Sequence, residues 1–254
     1  MMHFAAYYES IDPAGAYAPL AAVQDPAINT RGDDIRVASE IPFIFCAAGL
    51  TAAATFTSAQ LRSPSLRTLN NMFVRPLVNA VTFGDPPEVL PFPGNPRGMV
   101  PAEDVQFWVD STPAAGAEDH YGLVWFCDGP LAPVNGEIFS VGATSASSLS
   151  AGTWVNSNLT FDQALPSGSY QVVGMRAEGA NLVGARLVFP GGGNEAFRPG
   201  VPGSTSAFVV DNDMFRKGML GVFGTFDQDN PPTIDCLGIT DTAQTITLDL
   251  IKTA

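Results

Sequence analysis

The stretch NNMFVRPLVNAVTFGDPPEV, residues 70–89, has an echo in NDMFRKGMLGVFGTFDQDNPPTI, residues 212–234. Both contain Asn-x-Met-Phe, then a Thr-Phe pair, then Pro-Pro followed one residue later by a branched aliphatic side chain. The number of residues from Met72 to Met214 is nearly the same as the number from Pro86 to Pro231. This nearly constant spacing predicts that the chain holds two copies of one kind of domain.

The composition is typical of an all-β protein. Hydrophobic residues make up 46% of the 254 residues, which is enough for a buried core. Glycine and proline together supply about 18% of the chain, against an average of about 12%. They follow no Gly-x-y period, so they indicate frequent turns between short strands.

The second half of the chain reads as eight strands. The last of them, 245–251, alternates Ile246, Leu248 and Leu250 with polar residues, which is typical of a strand with one buried face. A Gly/Pro-rich loop over 190–206 and a short helix over 211–217, with Asp211 as its N-cap, are predicted between the fifth and sixth strands. The predicted strands are 121–127, 137–143, 153–161, 169–177, 182–189, 219–226, 233–237 and 245–251.

The first half aligns with the second from its middle onward. Ser63 and Pro64 are typical of a helix N-cap and first helical position, and apolar residues then recur at helical spacing over two turns. In front of this helix, Ala59-Gln60-Leu61 parallels Ala185-Arg186-Leu187 of the second half. Residues 1–34 contain only weak strand candidates, and 111–117 read as a linker. The other predicted strands are 35–46 (one or two), 51–61, 74–83, 88–92 and 104–109.

These patterns predict an all-β fold of two tandem jelly-roll β-sandwiches, a double jelly roll. Eight antiparallel strands allow two four-stranded sheets to share one core. Each sandwich is predicted to carry a short helix between its fifth and sixth strands. The predicted boundaries are 1–115 for the first jelly roll with the linker and 116–254 for the second.

Charge and cysteine usage restrict the possible partners and compartment. The net charge of −13 repels phosphate backbones, so no direct binding of nucleic acid is expected. Cys46, Cys127 and Cys236 are widely spaced among apolar residues, which predicts free buried thiols. The start MMHFAAYYES lacks the pattern of a signal peptide, which favours folding in a reducing cytoplasm.

One uncharged stretch, 41–61, has nearly the length of a membrane-spanning helix. It contains Pro42, Gly49 and several hydroxyl residues, and its alanines are only weakly apolar. We therefore expect two strands joined near Gly49.

The chain resembles the double-jelly-roll major capsid proteins of tailless icosahedral bacteriophages. The resemblance lies in AQLRSPSLRTLNNMFVRPL (59–77), LPSGSYQVVGMRAEGANLVGARLVF (165–189) and FRKGMLGVFGTF (215–226). It covers most of the chain in architecture, through short motifs of modest specificity. In that family a helix falls between the fifth and sixth strands of each roll, as predicted above.

The resemblance implies a structural role. It implies a homotrimer with a pseudo-hexameric outline that tiles an icosahedral shell over an internal membrane, with a separate protein at the vertices. The implied location is the virion, assembled in the host cytoplasm. A protein of this kind requires extensive subunit contacts rather than a reactive pocket, so neither enzymatic activity nor a cofactor is expected.

Chemical motifs are sparse. His3 and His120 are the only histidines, and no serine lies in a Gly-x-Ser-x-Gly elbow. Asp227 and Asp229 alternate as calcium ligands would, but the loop lacks the other ligands, so an acidic turn is favoured over a metal site. No catalytic, cofactor-binding or metal-binding residues are therefore assigned.

Three of the ten arginines, Arg62, Arg67 and Arg75, lie close together along the chain. On a solvated helix they would be ordinary. In so acidic a protein they can pair with carboxylates of a neighbouring subunit, since guanidinium groups bind carboxylates in a fixed bidentate geometry. These three residues are the predicted inter-subunit contacts.

Two alternative functions remain open at this point. Jelly rolls also host lectin-like sites, so a carbohydrate-binding or glycan-active module is one alternative. Carbohydrate sites usually need exposed aromatic side chains, whereas Trp108, Trp125 and Trp154 lie within strand patterns and are predicted to be buried. The other alternative is a minor capsid or spike protein, which would form oligomers without closing a shell.

Overall fold

The computed structural model describes the chain except for residues 52–55, 68–71, 75–76, 79–89, 92, 192–195, 205–212 and 254. For 56–57, 67, 72–73, 77–78, 90–91 and 213 it describes the backbone alone. The chain is all-β, with 54% strand and 3% helix, so the predicted fold class is confirmed at that level.

The chain divides into two compact units. The first unit is Ala5–Pro130, and the second unit is Met1–Phe4 together with Leu131–Ala254. The predicted division lay at 115/116, whereas the observed one lies at 130/131. The difference is the strand Glu118–Cys127, which pairs along its length with Phe43–Thr51 of the first unit.

Two sheets form the first unit. One has the strand order β10-β6-β13-β1-β3, with β9 and β11 also paired to β6. The other has the order β4-β5-β12-β7-β8, with β2 paired to β12. The strands are β1 (Met2–Ile11), β2 (Ala18–Pro19), β3 (Ala21–Ala22), β4 (Asn29–Arg31), β5 (Asp34–Arg36), β6 (Phe43–Thr51), β7 (Phe56–Arg62), β8 (Met72–Val74), β9 (Leu77–Val78), β10 (Leu90–Pro91), β11 (Arg97–Gly98), β12 (Asp104–Ser111) and β13 (Glu118–Cys127).

The first unit's core follows from strict alternation along β12. Val105, Phe107 and Val109 are buried, while the residues between them are half-buried on the opposite face. Gly122 of β13 lies against the core side of Phe107, where a Cβ atom would be 2.3 Å from the ring. Glycine is therefore required there, because any side chain would displace the aromatic ring.

The second unit's strands form a continuous nine-stranded sheet, with the order β15-β21-β18-β19-β17-β22-β14-β16 and β20 paired to β17. It is nearly closed, like a barrel. The predicted alternation of Ile246, Leu248 and Leu250 is confirmed, and all three are fully buried. The strands are β14 (Phe139–Ser145), β15 (Val155–Asn158), β16 (Thr160–Phe161), β17 (Ser169–Glu178), β18 (Leu182–Val188), β19 (Gly200–Ser204), β20 (Gly224–Asp227), β21 (Thr233–Gly238) and β22 (Gln244–Lys252).

Matching positions in the two units keep one nearly constant offset along the chain. Gln60 of β7 pairs with Trp108 of β12, and Arg186 of β18 pairs with Asp235 of β21. Parallel pairs also match: β6 pairs with β9 as β17 pairs with β19. The predicted correspondence of 59–61 with 185–187 is confirmed by these registers.

The echo between residues 70–89 and 212–234 does not mark corresponding positions of the two units, contrary to the prediction. Met72 lies in β8, whereas Met214 lies in a 3-10 helix, Asp213–Phe215. By register, the counterpart of Met72 is Pro199, because Leu61 pairs with Met72 and Leu187 donates its N–H to the Pro199 carbonyl at 2.8 Å. The later parts of the first motif lie outside the described residues.

The two short helices occupy different places in their units, which corrects the prediction of one common position. Helix α1 (Pro64–Arg67) follows β7, while the 3-10 helix follows β19, the counterpart of β8. The predicted cap of α1 is confirmed, since Leu66 donates its N–H to Ser63 Oγ at 3.1 Å. The predicted helix was two turns long and reached Phe73, but Phe73 lies in strand β8, so the predicted length is wrong. Residues 68–71 and Asp211 lie outside the described residues.

Replacing Ser63 with alanine is expected to reduce the free energy of unfolding by about 1 kcal/mol, because the Leu66 N–H loses its acceptor in a buried position. Urea denaturation of both proteins measures the difference. Ser39→Ala is the matched control, since the Ser39 hydroxyl donates to its exposed neighbour Glu40 at 3.0 Å and caps no helix. Equal losses in the two variants would contradict a capping role for Ser63.

Several strand boundaries differ from their predictions. The loop predicted over 190–206 contains β19, and the strand predicted over 219–226 begins only at Gly224. Before it, Gly218 and Gly221 have φ angles of 77° and 85°, which turn the backbone out of the extended conformation. The stretch 41–61 forms β6, which continues through Gly49 to Thr51, and β7, so the predicted join near Gly49 is wrong.

Candidate functional site

Of the three predicted contact arginines, only Arg62 has a described side chain. It lies at the end of β7, between two aromatic rings: its guanidinium carbon is 4.2 Å from the Trp108 ring centroid and 5.0 Å from that of Tyr17. Its Nε donates to Gln60 Oε1 at 3.0 Å. We call Tyr17, Arg62 and Trp108 the Arg62 stack. The Arg67 side chain and the whole of Arg75 lie outside the described residues.

Side-chain hydrogen bonds fix the positions of the two aromatic rings of the Arg62 stack. Trp108 Nε1 donates to Gln106 Oε1 at 2.9 Å, and Gln106 Nε2 donates to Asp34 Oδ1 at 2.8 Å. The Tyr17 hydroxyl is hydrogen-bonded to Ser58 Oγ. These bonds involve residues of β5, β7 and β12, so the surface is ordered before anything binds to it.

Exposure of the tryptophans corrects one prediction. Trp125 is buried, with 1% of its surface exposed, as predicted. Trp108 and Trp154 are half-buried rather than buried. Trp108 lies on the face of β12 opposite the core, and Trp154 immediately precedes β15. An aromatic surface is therefore present, and sequence patterning alone did not find it.

An ion-pair cluster occupies the second unit at Arg186, which is completely buried. Its Nε donates to Asp235 Oδ2 at 3.0 Å and its Nη1 donates to the Phe4 carbonyl at 2.9 Å. The guanidinium carbon is 4.0 Å from the Trp154 ring centroid. Arg198 donates to the same carboxylate oxygen of Asp235. We call Phe4, Trp154, Arg186, Arg198 and Asp235 the Arg186 cluster.

The Arg62 stack and the Arg186 cluster are built alike. Tyr17 immediately precedes β2 and Trp154 immediately precedes β15, and these strands pair with matching positions of β12 and β21. In each unit the aromatic ring stacks on an arginine from the neighbouring strand, β7 or β18. They differ in two ways. Arg186 corresponds by register to Gln60 rather than to Arg62, and Arg186 is fully buried whereas Arg62 is half-buried.

A second buried carboxylate, Asp249 of β22, lies on the face of that strand that also carries Thr245 and Thr247. It accepts hydrogen bonds from Arg216 Nε at 2.8 Å, the Lys217 N–H at 2.9 Å and Ser140 Oγ at 2.7 Å. Burial alone would raise the pKa of Asp249, but the bonds from Arg216, Ser140 and Lys217 outweigh it and hold that pKa well below its usual range.

The three cysteines are buried and free, as predicted. Burial raises the pKa of Cys127 to about 11 and that of Cys236 to about 12. Thiols of this kind are poor nucleophiles at neutral pH, because the reactive species is the thiolate. They pack as small apolar side chains.

His3 and the Asp227 loop make structural contacts, and His120 is buried. His3 Nδ1 accepts the Arg198 N–H at 3.1 Å, and His120 is buried, which lowers its pKa. Asp227 accepts a hydrogen bond from the Ser169 hydroxyl. Within the described part of the chain, no three acidic, histidine or cysteine side chains are grouped as metal ligands would be.

No family model, curated protein or solved structure matches the chain. Among the described residues, no helix has the length and apolar character needed to cross a membrane.

Proposed function

We propose that the chain is the major capsid subunit of an icosahedral virus and that it acts by forming pseudo-hexameric homotrimers that tile a shell. The observation that carries the proposal is the strand order, which is the same in both units. The first unit contains the strand orders β1-β13-β6-β10 and β5-β12-β7-β8. The second unit contains the strand orders β14-β22-β17-β20 and β15-β21-β18-β19.

These orders support two jelly rolls. A jelly roll has two four-stranded sheets. One contains strands one, eight, three and six in that order, and the other contains strands two, seven, four and five in that order. Both β2 and β5 pair with β12, so either can be counted as the second strand of the first unit. With β1 as strand one and β6, β7, β8, β10, β12 and β13 as strands three to eight, both orders are satisfied. Counting β14, β15 and β17 to β22 does the same in the second unit.

The duplication supports a shell-building role. A trimer of chains with two similar units presents six similar edges, so one gene product can fill hexagonal positions on a closed shell. Among the described residues, the buried charges Glu103, Arg186, Asp235 and Asp249 bond to neighbouring groups of the chain. The half-buried charged and aromatic surface at the Arg62 stack is suited to protein contacts. A separate vertex protein and an internal membrane belong to the same proposal, as does location in the virion.

The mass in solution tests the proposal. Light scattering of the purified chain across a salt series is expected to give a particle of three times the chain mass of 26.7 kDa. Negative-stain images of that particle should have a hexagonal outline. A 26.7 kDa monomer at every salt and protein concentration would refute the proposal.

Half-buried Trp108 favours a second candidate, a carbohydrate-binding module. Tryptophan faces stack on sugar rings, and Gln106 and Asp34 beside it could hydrogen-bond sugar hydroxyls. Against this, Arg62 covers a face of the Trp108 ring at 4.2 Å. A glycan screen with the parent and Trp108→Ala separates the two, since only a glycan module would give binding that the variant loses.

A minor capsid or spike protein would instead form oligomers that do not assemble into shells.

A further inference from the structure

The loop of residues 131–138, at the start of the second unit, contains the only Asn-Gly sequence of the chain, Asn135-Gly136. Both residues are exposed. The chain is fixed on either side of them. Before them, Val134 donates its N–H to the Gly218 carbonyl at 2.9 Å, and after them β14 begins at Phe139 and pairs with β22. The loop therefore presents a short segment to solvent between two anchored points.

The backbone nitrogen of Gly136 is accessible and makes no hydrogen bond. Within the described part of the chain its N–H donates to no acceptor, and the side-chain amide of Asn135 is likewise unbonded. Glycine has no Cβ atom, so no side chain shields this nitrogen, and the backbone can adopt conformations that other residues avoid. The side-chain amide of Asn135 is therefore free to approach the nitrogen that follows it in the chain.

We propose that Asn135 is a modification site that converts spontaneously to aspartate and isoaspartate through a cyclic succinimide. In the first step the Gly136 backbone nitrogen, after giving its proton to water or hydroxide, attacks the Cγ atom of Asn135. A bond forms between this nitrogen and Cγ, and the bond from Cγ to Nδ2 breaks. The Nδ2 group takes up one proton and leaves as ammonia, so the step needs no oxidant and no cofactor.

Water completes the conversion by adding to one of the two carbonyl carbons of the succinimide. When it adds at Cγ, the bond from Cγ to the Gly136 nitrogen breaks and the residue becomes an aspartate. When it adds at the main-chain carbonyl carbon, the chain afterwards runs through the side chain, which gives an isoaspartate with one extra methylene in the backbone. Either product adds a negative charge beside exposed Glu137 in a chain whose net charge is −13.

The structure distinguishes Asn135 from the other asparagines that it describes. Two of them precede proline, whose nitrogen has no N–H to lose: Asn95 and Asn230. Two have side-chain amides that donate hydrogen bonds within the chain: Asn156 and Asn181. The remaining two lie in strands and precede larger residues, which hinder ring closure: Asn29 and Asn158.

Peptide mass spectrometry of the purified chain, sampled during incubation at pH 8 and 37 °C, tests the proposal. The expected result is a gain of about 1 Da at residue 135, with isoaspartate detected by an isoaspartyl methyltransferase. The rate should rise with pH, because the Gly136 nitrogen reacts after losing its proton. Since the loop is exposed, the rate should lie within about tenfold of that in a synthetic peptide of residues 131–140. Asn158 is the matched control, because it is also exposed and should stay unchanged.

Two variants locate the reaction. Gly136→Ala should slow the conversion at least about tenfold, because a Cβ atom hinders ring closure. That Cβ atom would lie 2.7 Å from Ile251 Cδ1, the end of a flexible side chain, so urea denaturation checks that the variant folds like the parent. Asn135→Gln changes only an exposed side chain and should abolish the gain of mass in this loop, because its longer side chain would have to close a six-membered ring.

The outcomes do not depend on the proposed function, which the mass of the particle tests separately. Conversion at Asn135 within about tenfold of the peptide's rate, lost in Asn135→Gln, supports the inference. A slower rate in the folded chain would show that the loop prevents ring closure and would overturn the inference. Conversion of Asn158 as fast as that of Asn135, or a rate unchanged in a folded Gly136→Ala, would overturn it as well.

Discussion

Replacing Asp235 with alanine is expected to destabilise the chain by about 3–5 kcal/mol, a large part of the stability of a typical domain. Asp235 is 2% exposed and accepts bonds from Arg186, Arg198 and Asn156. Without it, the guanidinium of Arg186 stays buried after losing this counter-charge, because Arg186 is completely enclosed. Guanidinium chloride denaturation, followed by tryptophan fluorescence, measures the loss.

Two further variants show whether the isolated charge causes this loss. Asp104→Ala removes a carboxylate from an exposed pair, Arg36 with Asp104 at 3.0 Å, and should change stability far less. Arg186→Met combined with Asp235→Leu removes the buried pair together and should recover much of the loss, since apolar pairs can replace buried ion pairs. If Asp235→Ala is no more harmful than Asp104→Ala, the buried pair does not have the stabilising role inferred here.

Hydrophobic patterning carried most of what could be predicted from the sequence. The alternation along β22 predicted a strand with one apolar face, and the continuous apolar run of β13 predicted a strand buried on both faces; both strands lie where they were predicted. β19 was missed because Gly200, Pro202 and Gly203 are poor strand formers. The structure explains Gly203, since a Cβ atom there would lie 2.3 Å from the Leu182 carbonyl oxygen.

The match of 59–61 with 185–187 agrees with the strand registers of β7 and β18, whereas the Asn-x-Met-Phe echo does not. Short identities do not specify strand register, whereas the pairing of Gln60 and Arg186 with their partners fixes which positions of the two units correspond. The candidate site was found only in part. Arg62 was visible as one of a group of arginines, but Tyr17 and Trp108 are distant from it in the chain, on either side, and meet it only through sheet pairing.

Replacing Asp249 with asparagine is expected to reduce the free energy of unfolding at pH 7 by about 3 kcal/mol. The carboxylate is fully buried, and asparagine cannot accept all of the hydrogen bonds from Arg216, Lys217 and Ser140 with both of its terminal atoms. Arg216 would also lose its buried counter-charge. Gly174 provides the space for this carboxylate, since a Cβ atom there would lie 2.6 Å from Asp249 Oδ2.

The pH dependence of this effect has a definite sign. In the folded chain the pKa of Asp249 lies below its ordinary value of 3.8, so the unfolded chain binds the proton more readily. The stabilisation from the ionised carboxylate is therefore complete at neutral pH, begins to decrease as the pH falls through about 4, and continues to decrease towards the lowered pKa. Urea denaturation of the parent and Asp249→Asn between pH 7 and pH 3 should show their stabilities converging as acid is added. Because the two proteins differ only at residue 249, the difference between their stabilities reports on Asp249. A difference that stays constant with pH would mean that the charge of Asp249 is not what stabilises β22.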